Sequence, residues 1–89
     1  MLRIQRDDLD DHRVSLILQG RIAGEWAELL ERECAQLLQA GFRVSLDLSD
    51  VVFIGRSGLE ALRRLAASGV RIGNGSSLIT AVLEQEGIR

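Results

Sequence analysis

Segments with the two-residue periodicity of β-strands alternate along the chain with segments whose apolar residues recur every three or four positions. In residues 43–48, apolar side chains at alternate positions indicate a strand with one buried face, whereas between 23 and 41 Trp26, Leu30 and Cys34 lie at helical spacing. The predicted strands are 1–5, 13–19, 43–48 and 70–73, and the predicted helices run from 23 to 41, from 58 to 68 and onward from the turn at Asn74 and Gly75. The predicted order of elements is therefore β-β-α-β-α-β-α.

This order restricts the fold. The first two strands are joined by the short acidic turn 7–11 and should pair antiparallel, while strands separated by a helix should pair parallel through right-handed crossovers. We therefore predict an α/β protein with a mixed four-stranded sheet packed by helices, forming one domain over residues 1–89. Residues 50–54 are expected to form a connection. The last helix is expected to turn four apolar residues inward: Leu78, Ile79, Val82 and Leu83.

Composition argues against most catalytic and nucleic-acid-binding functions. All eleven basic residues are Arg, which excludes chemistry that depends on lysine. His12 is the only histidine and Cys34 the only cysteine, so we expect no metal site, no cofactor and no enzyme activity. A net charge of −2 and 3% aromatic residues disfavour a nucleic-acid partner. No apolar run is long enough for a signal peptide or direct membrane insertion, which predicts a cytoplasmic protein.

The most informative segment is 44–62, with the sequence VSLDLSDVVFIGRSGLEAL. A strand ends in Asp-Leu-Ser at 47–49, an apolar pair follows at 53–54, and Ser-Gly-Leu at 57–59 opens a helix. This pattern resembles the signature of STAS domains, which occur in anti-sigma-factor antagonists and in the cytoplasmic parts of sulphate transporters. The resemblance implies the STAS fold, without the last strand and helix of longer members.

The resemblance also implies a function and a site. In phosphorylated family members, the serine before Gly-Leu accepts phosphate from an anti-sigma factor that is also a serine kinase, and that position is Ser57 here. Three positions depart from the family pattern, because Gly55, Arg56 and Ala23 replace an Asp, a Ser and an acidic residue. The expected partner-binding surface consists of Ile54, Gly55, Arg56, Ser57, Gly58 and Leu59.

Other interpretations of the same residues remain open. Ser57 and Glu60 have the spacing of a capping box, so Ser57 has a structural interpretation as a helix cap. Asp47 and Arg56 are candidates for a ligand or anion site, although Asp47 equally suits a hydrogen bond to a nearby loop amide. The alternative function is that of a small-molecule sensor or an accessory subunit of a transport complex without phosphorylation. The strand at 70–73 is expected to lie at a sheet edge, which suggests a homodimer.

Overall fold

The computed structural model of the protein describes residues 1–88 and contains four strands and three helices in the predicted order. The strands are β1 (Leu2–Asp8), β2 (Arg13–Ile22), β3 (Arg43–Ile54) and β4 (Arg71–Gly73). The helices are α1 (Glu25–Gln39), α2 (Arg56–Ala67) and α3 (Ser77–Gln85). The predicted order β-β-α-β-α-β-α is therefore confirmed.

The four strands form one mixed sheet in the order β1-β2-β3-β4. The β1 strand pairs antiparallel with β2, and both remaining pairs are parallel because α1 and α2 each provide a crossover of the length that parallel pairing needs. Within residues 1–88, β4 pairs only with β3, so it lies at an edge of the sheet as predicted.

The core lies between one face of the sheet and the helices. Alternation along β3 buries Val44, Leu46 and Leu48, while Ser45 and Asp47 between them remain partly exposed. Two crossovers of the same hand over neighbouring strands place α1 and α2 on one face of the sheet. The buried residues on α1 are Ala27, Leu30 and Cys34, and those on α2 are Gly58, Ala61, Leu62 and Leu65.

Two residues of α1 have contrasting environments. Cys34 is fully buried, and burial, with a smaller contribution from Glu33 and Glu31, raises the pKa of its thiol to about 12. Cys34 therefore serves as a small core residue. Trp26 is half-buried in the first turn of α1, and its backbone N–H donates to Ala23 O at 3.2 Å.

The prediction that 50–54 forms a connection was wrong, because β3 continues to Ile54. The β2 strand also continues, through Gly20 to Ile22, and pairs with this extension. The register shifts so that Val52 is an extra residue in β3, between the pairs that Val51 and Phe53 form with β2. The apolar run 51–54, which lacks the alternation of a regular strand, is therefore part of a bulged strand.

The start of α3 also differs from the prediction. Leu78 was expected to face inward, yet it is 71% exposed. The Ser76 hydroxyl caps α3 by accepting from the Ile79 N–H at 3.2 Å, and Ile79 and Leu83 then share the buried face. A helical residue turns about 100° from its neighbour, so Leu78 points away from the core.

An ion pair connects the two longer helices. The Arg64 guanidinium on α2 donates to both carboxylate oxygens of Glu31 on α1, at 2.7 and 2.9 Å. This interaction holds the pKa of Glu31 below its usual value, and because the pair is largely exposed its contribution to stability is small.

None of the helices within residues 1–88 combines the length and the apolar character required to span a membrane.

Candidate functional site

The last residues of β2 and β3 lie side by side at the same end of the sheet. Ile22 pairs with Ile54 at the end of the parallel ladder, and the Gly55 N–H donates to Ile22 O at 3.0 Å. Because α1 and α2 follow these strands directly, the two helices begin side by side. The predicted surface 54–59 lies at this junction. Ile54 and Gly58 are buried, Gly55 and Leu59 are half-buried, and Arg56 and Ser57 are exposed.

Ser57 links the two helix starts. Its Oγ accepts a hydrogen bond from the backbone N–H of Gly24 at 2.9 Å, and Gly24 is the N-cap residue of α1. Gly24 has a φ of 57°, in the region that glycine adopts without steric cost. The side chain of Ser57 thus satisfies an amide that begins a different helix.

The capping-box interpretation of Ser57 is wrong. The α2 helix begins at Arg56 with Gly55 as its N-cap, and no side chain caps it. Ser57 is the second residue of the helix, so the helix starts earlier than the predicted residue 58. Since Gly55 is an extended residue whose carbonyl accepts from the Leu59 N–H at 2.9 Å, α2 starts without a serine cap.

Gly58 allows α2 to lie against the end of β2. A Cβ atom built at this position would overlap the carbonyl oxygen of Ile22 and would lie 3.0 Å from Ile54 Cγ2. The carbonyl oxygen is backbone, so it cannot move aside as a flexible side chain could. Gly58 therefore sets the distance between α2 and the sheet, and with it the position of Ser57.

We predict that Gly58→Ala destabilises the protein by about 1–3 kcal/mol, because the added methyl group forces α2 away from Ile22. The matched control is Gly73→Ala on β4, where an added Cβ meets nothing within 4 Å. Urea denaturation of both variants measures the difference. Equal stabilities for the two variants would show that the contact between α2 and β2 is not tight.

An exposed apolar and basic surface adjoins the junction. Val52 is 72% exposed and Phe53 is 44% exposed. The Arg21 guanidinium carbon lies 4.8 Å from the centre of the Phe53 ring, within the range of a cation–π interaction. We call Arg21, Val52, Phe53 and Arg56 the junction patch.

Sequence reasoning missed three members of the junction patch: Arg21, Val52 and Phe53. The available signal was the unbroken run Val51, Val52, Phe53 and Ile54, which is too apolar for an ordinary solvated connection. The bulge at Val52 turns Val51 and Ile54 inward and leaves the two residues between them outside.

Asp47 lies beside a second register shift in β3, which precedes the bulge at Val52. Its Oδ1 accepts from the Ser49 N–H at 2.9 Å, at a point where the register against β2 shifts by one residue. Hydrogen bonds from the Ser49 backbone and hydroxyl, and a weaker one from the Asn74 side chain, hold the pKa of Asp47 below its usual value. Asp47 was expected to bond to a nearby loop amide, and it does accept from a nearby amide, but that amide belongs to Ser49 within β3.

Asp47 and Arg56 lie on different elements, Asp47 on β3 and Arg56 at the start of α2. Asp47 pairs with Ile17 in the middle of the β2–β3 ladder and with Gly73 at the end of the β3–β4 ladder, whereas Arg56 follows the last pair of β3. A shared anion site at these two residues stays a prediction.

We predict that Asp47→Ala lowers the free energy of unfolding by about 1 kcal/mol at neutral pH, because the Ser49 amide loses its acceptor. Asp47→Asn retains an acceptor oxygen and should lose less. The pKa of Asp47 is lower in the folded state, so its contribution is present above about pH 4 and is lost as the pH falls through the folded-state value. Urea denaturation at several pH values should show wild type and Asp47→Ala converging in acid, and a constant difference would contradict this role.

Comparison with solved structures identifies the fold. The architecture is that of the STAS domain, the fold of anti-sigma-factor antagonists. The structure of the anti-sigma factor antagonist SpoIIAA in its unphosphorylated form matches with a TM-score of 0.77 and 18% sequence identity, covering 96% of this chain and 81% of that one. The phosphorylated form of the Bacillus cell fate determinant SpoIIAA matches with a TM-score of 0.68 and 20% identity, covering 96% and 84% of the two chains.

A third structure shares more sequence over a shorter part of its length. The crystal structure of Mglu matches with a TM-score of 0.57 and 35% identity, covering 76% of this chain but 18% of that one. No family model matches the sequence. No curated protein matches it either. The fold is therefore identified by comparison with solved structures.

Proposed function

We propose that the protein is a non-enzymatic regulatory domain that binds an anti-sigma factor with serine kinase activity and is switched by phosphorylation at Ser57. The observation that carries the proposal is the position of the exposed Ser57 hydroxyl, between the starts of two helices in the fold of SpoIIAA. The partner's kinase would transfer the γ-phosphate of ATP to Oγ, with loss of the hydroxyl proton.

The surroundings of Ser57 favour a phosphate. The first amides of α2 lack carbonyl partners within the helix, and the Gly24 amide at the start of α1 already points at Oγ. Both helix dipoles place partial positive charge at their N-termini, where a dianion is stabilised. Arg56 is adjacent, exposed and outside every ion pair found within residues 1–88, so its guanidinium is available to the phosphate.

The junction patch suggests the chemistry of the partner's surface. Val52 and Phe53 present apolar area, and Arg21 and Arg56 add positive charge beside it. A complementary surface is apolar at its centre and acidic at its rim. A phosphate on Ser57 would offset the positive charge of Arg21 and Arg56 and so weaken the binding of an acidic partner.

The first test is phosphorylation in the presence of the partner. Proteins captured on the immobilised chain from an extract of its source cells are incubated with the chain and Mg-ATP, and intact-mass spectrometry follows the addition of phosphate. We expect one phosphate on the wild type and none on Ser57→Ala. The matched control is Ser77→Ala, an exposed serine at the start of α3 that should still be phosphorylated.

Two results would contradict phosphorylation at Ser57. One is a phosphate on Ser57→Ala at the wild-type level, and the other is no phosphate on any variant although a protein kinase has been captured. Circular dichroism of Ser57→Ala serves as the folding control, since loss of the hydrogen bond from Gly24 should cost only about 1 kcal/mol.

The second test measures the junction patch directly. We expect Val52→Asp to weaken binding of the captured partner by about tenfold or more, because it places a charge in apolar contact area and opposes an acidic rim. Leu78→Asp is the matched control, since Val52 is 72% and Leu78 is 71% exposed and they lie on different elements. Biolayer interferometry compares the two, and equal affinities would place the interface elsewhere.

Two further predictions concern the location of the protein and its self-association. A partner that acts on transcription places the protein in the cytoplasm. Self-association through the edge strand β4 also stays a prediction, since its outer backbone groups have no pairing strand within residues 1–88.

A further inference from the structure

Each of the three parallel strands begins with an arginine. Arg13, Arg43 and Arg71 are the first residues of β2, β3 and β4. All three line a single cleft of about 550 Å³, together with Leu9 and Ser45. The cleft lies at the opposite end of the 12-residue β3 strand from Ser57, so it is separate from the junction patch.

The arginines are close together and share one face of the sheet. Arg13 pairs with Arg43 in the β2–β3 ladder, where neighbouring strands lie about 4.8 Å apart. Arg71 pairs with Ser45, two residues along β3 from Arg43, and therefore lies on the same face as Arg43. Like charges placed opposite one another on a sheet repel unless an anion compensates them.

The positive charge is only partly compensated. Arg13 donates from Nε to Asp10 Oδ2 at 2.7 Å, and Asp10 also accepts the backbone N–H groups of His12 and Arg13. Arg43 and Arg71 make no ion pair with any residue among 1–88. Two guanidinium groups in the cleft therefore lack an anionic partner, and the acidic residues of the neighbouring turn are not part of the lining.

The remaining lining favours an oxyanion of limited size. A guanidinium presents a planar fork of donors that matches carboxylate and phosphate oxygens, and the Ser45 hydroxyl adds a further donor. The Leu9 side chain supplies apolar surface at the side of the cleft. A concave site with two uncompensated charges suits a small ligand that carries at least two negative charges.

We propose that this cleft binds a small, multiply charged oxyanion, either a phosphate ester or a dicarboxylate. Binding compensates the charges of Arg43 and Arg71 and joins the starts of β2, β3 and β4. The proposal is independent of phosphorylation at Ser57, because the two sites share no residue.

The test is an NMR titration of backbone amides with pyrophosphate and, separately, with succinate, at constant ionic strength. We expect saturable shifts centred on Ser45, Gly69 and Arg71 with at least one of the two probes. Saturation with pyrophosphate alone assigns the site to phosphate esters, and saturation with succinate alone assigns it to dicarboxylates. Linear shifts without saturation for both probes would overturn the proposal.

Variants distinguish binding of the anion in the cleft from its general attraction to positively charged residues. Arg43→Gln and Arg71→Gln should each weaken binding by about tenfold, since each removes a charged donor from the cleft. Arg3→Gln removes the same charge from an exposed position on β1 and should bind like the wild type. A loss of affinity with Arg3→Gln equal to that with the cleft variants would overturn the proposal. Two single variants keep the test valid if one of them folds poorly.

Discussion

The carbonyl group of Ile22 is the contact on which the junction depends. It accepts the Gly55 N–H, which closes the ladder between β2 and β3, and it lies against Gly58, which has no side chain to keep α2 away. Together, these two contacts hold the end of β2 against the start of α2. The hydrogen bond between Gly24 and Ser57 forms only because both helices begin beside this group.

Element type and order were predictable from periodicity, because strands and helices impose different spacings on apolar residues. Val44, Leu46 and Leu48 indicated a strand with one buried face, and Leu30 and Cys34 indicated the buried stripe of α1, as the structure confirms. The last part of β3 was not predictable in this way. A bulge removes the alternation that marks a strand, so the run from Val51 to Ile54 resembled an apolar connection.

The candidate site was predicted from the motif around Ser57, but its contacts required the fold. The spacing of Ser57 and Glu60 suggested a cap, whereas the hydroxyl bonds to an amide 33 residues earlier in the chain. The stacking of Arg21 on Phe53 and the alignment of Arg13 with Arg43 likewise depend on strand register. Register between distant segments is set by tertiary pairing, which a single sequence does not display.

Trp26 gives the junction an optical property of its own. It is the only tryptophan, and the chain contains no tyrosine, so ultraviolet emission comes almost entirely from the first turn of α1. This indole is half-buried two residues after Gly24, whose amide bonds to Ser57. Because indole emission responds to local field and hydration, the unlabelled protein carries a built-in fluorophore beside Ser57.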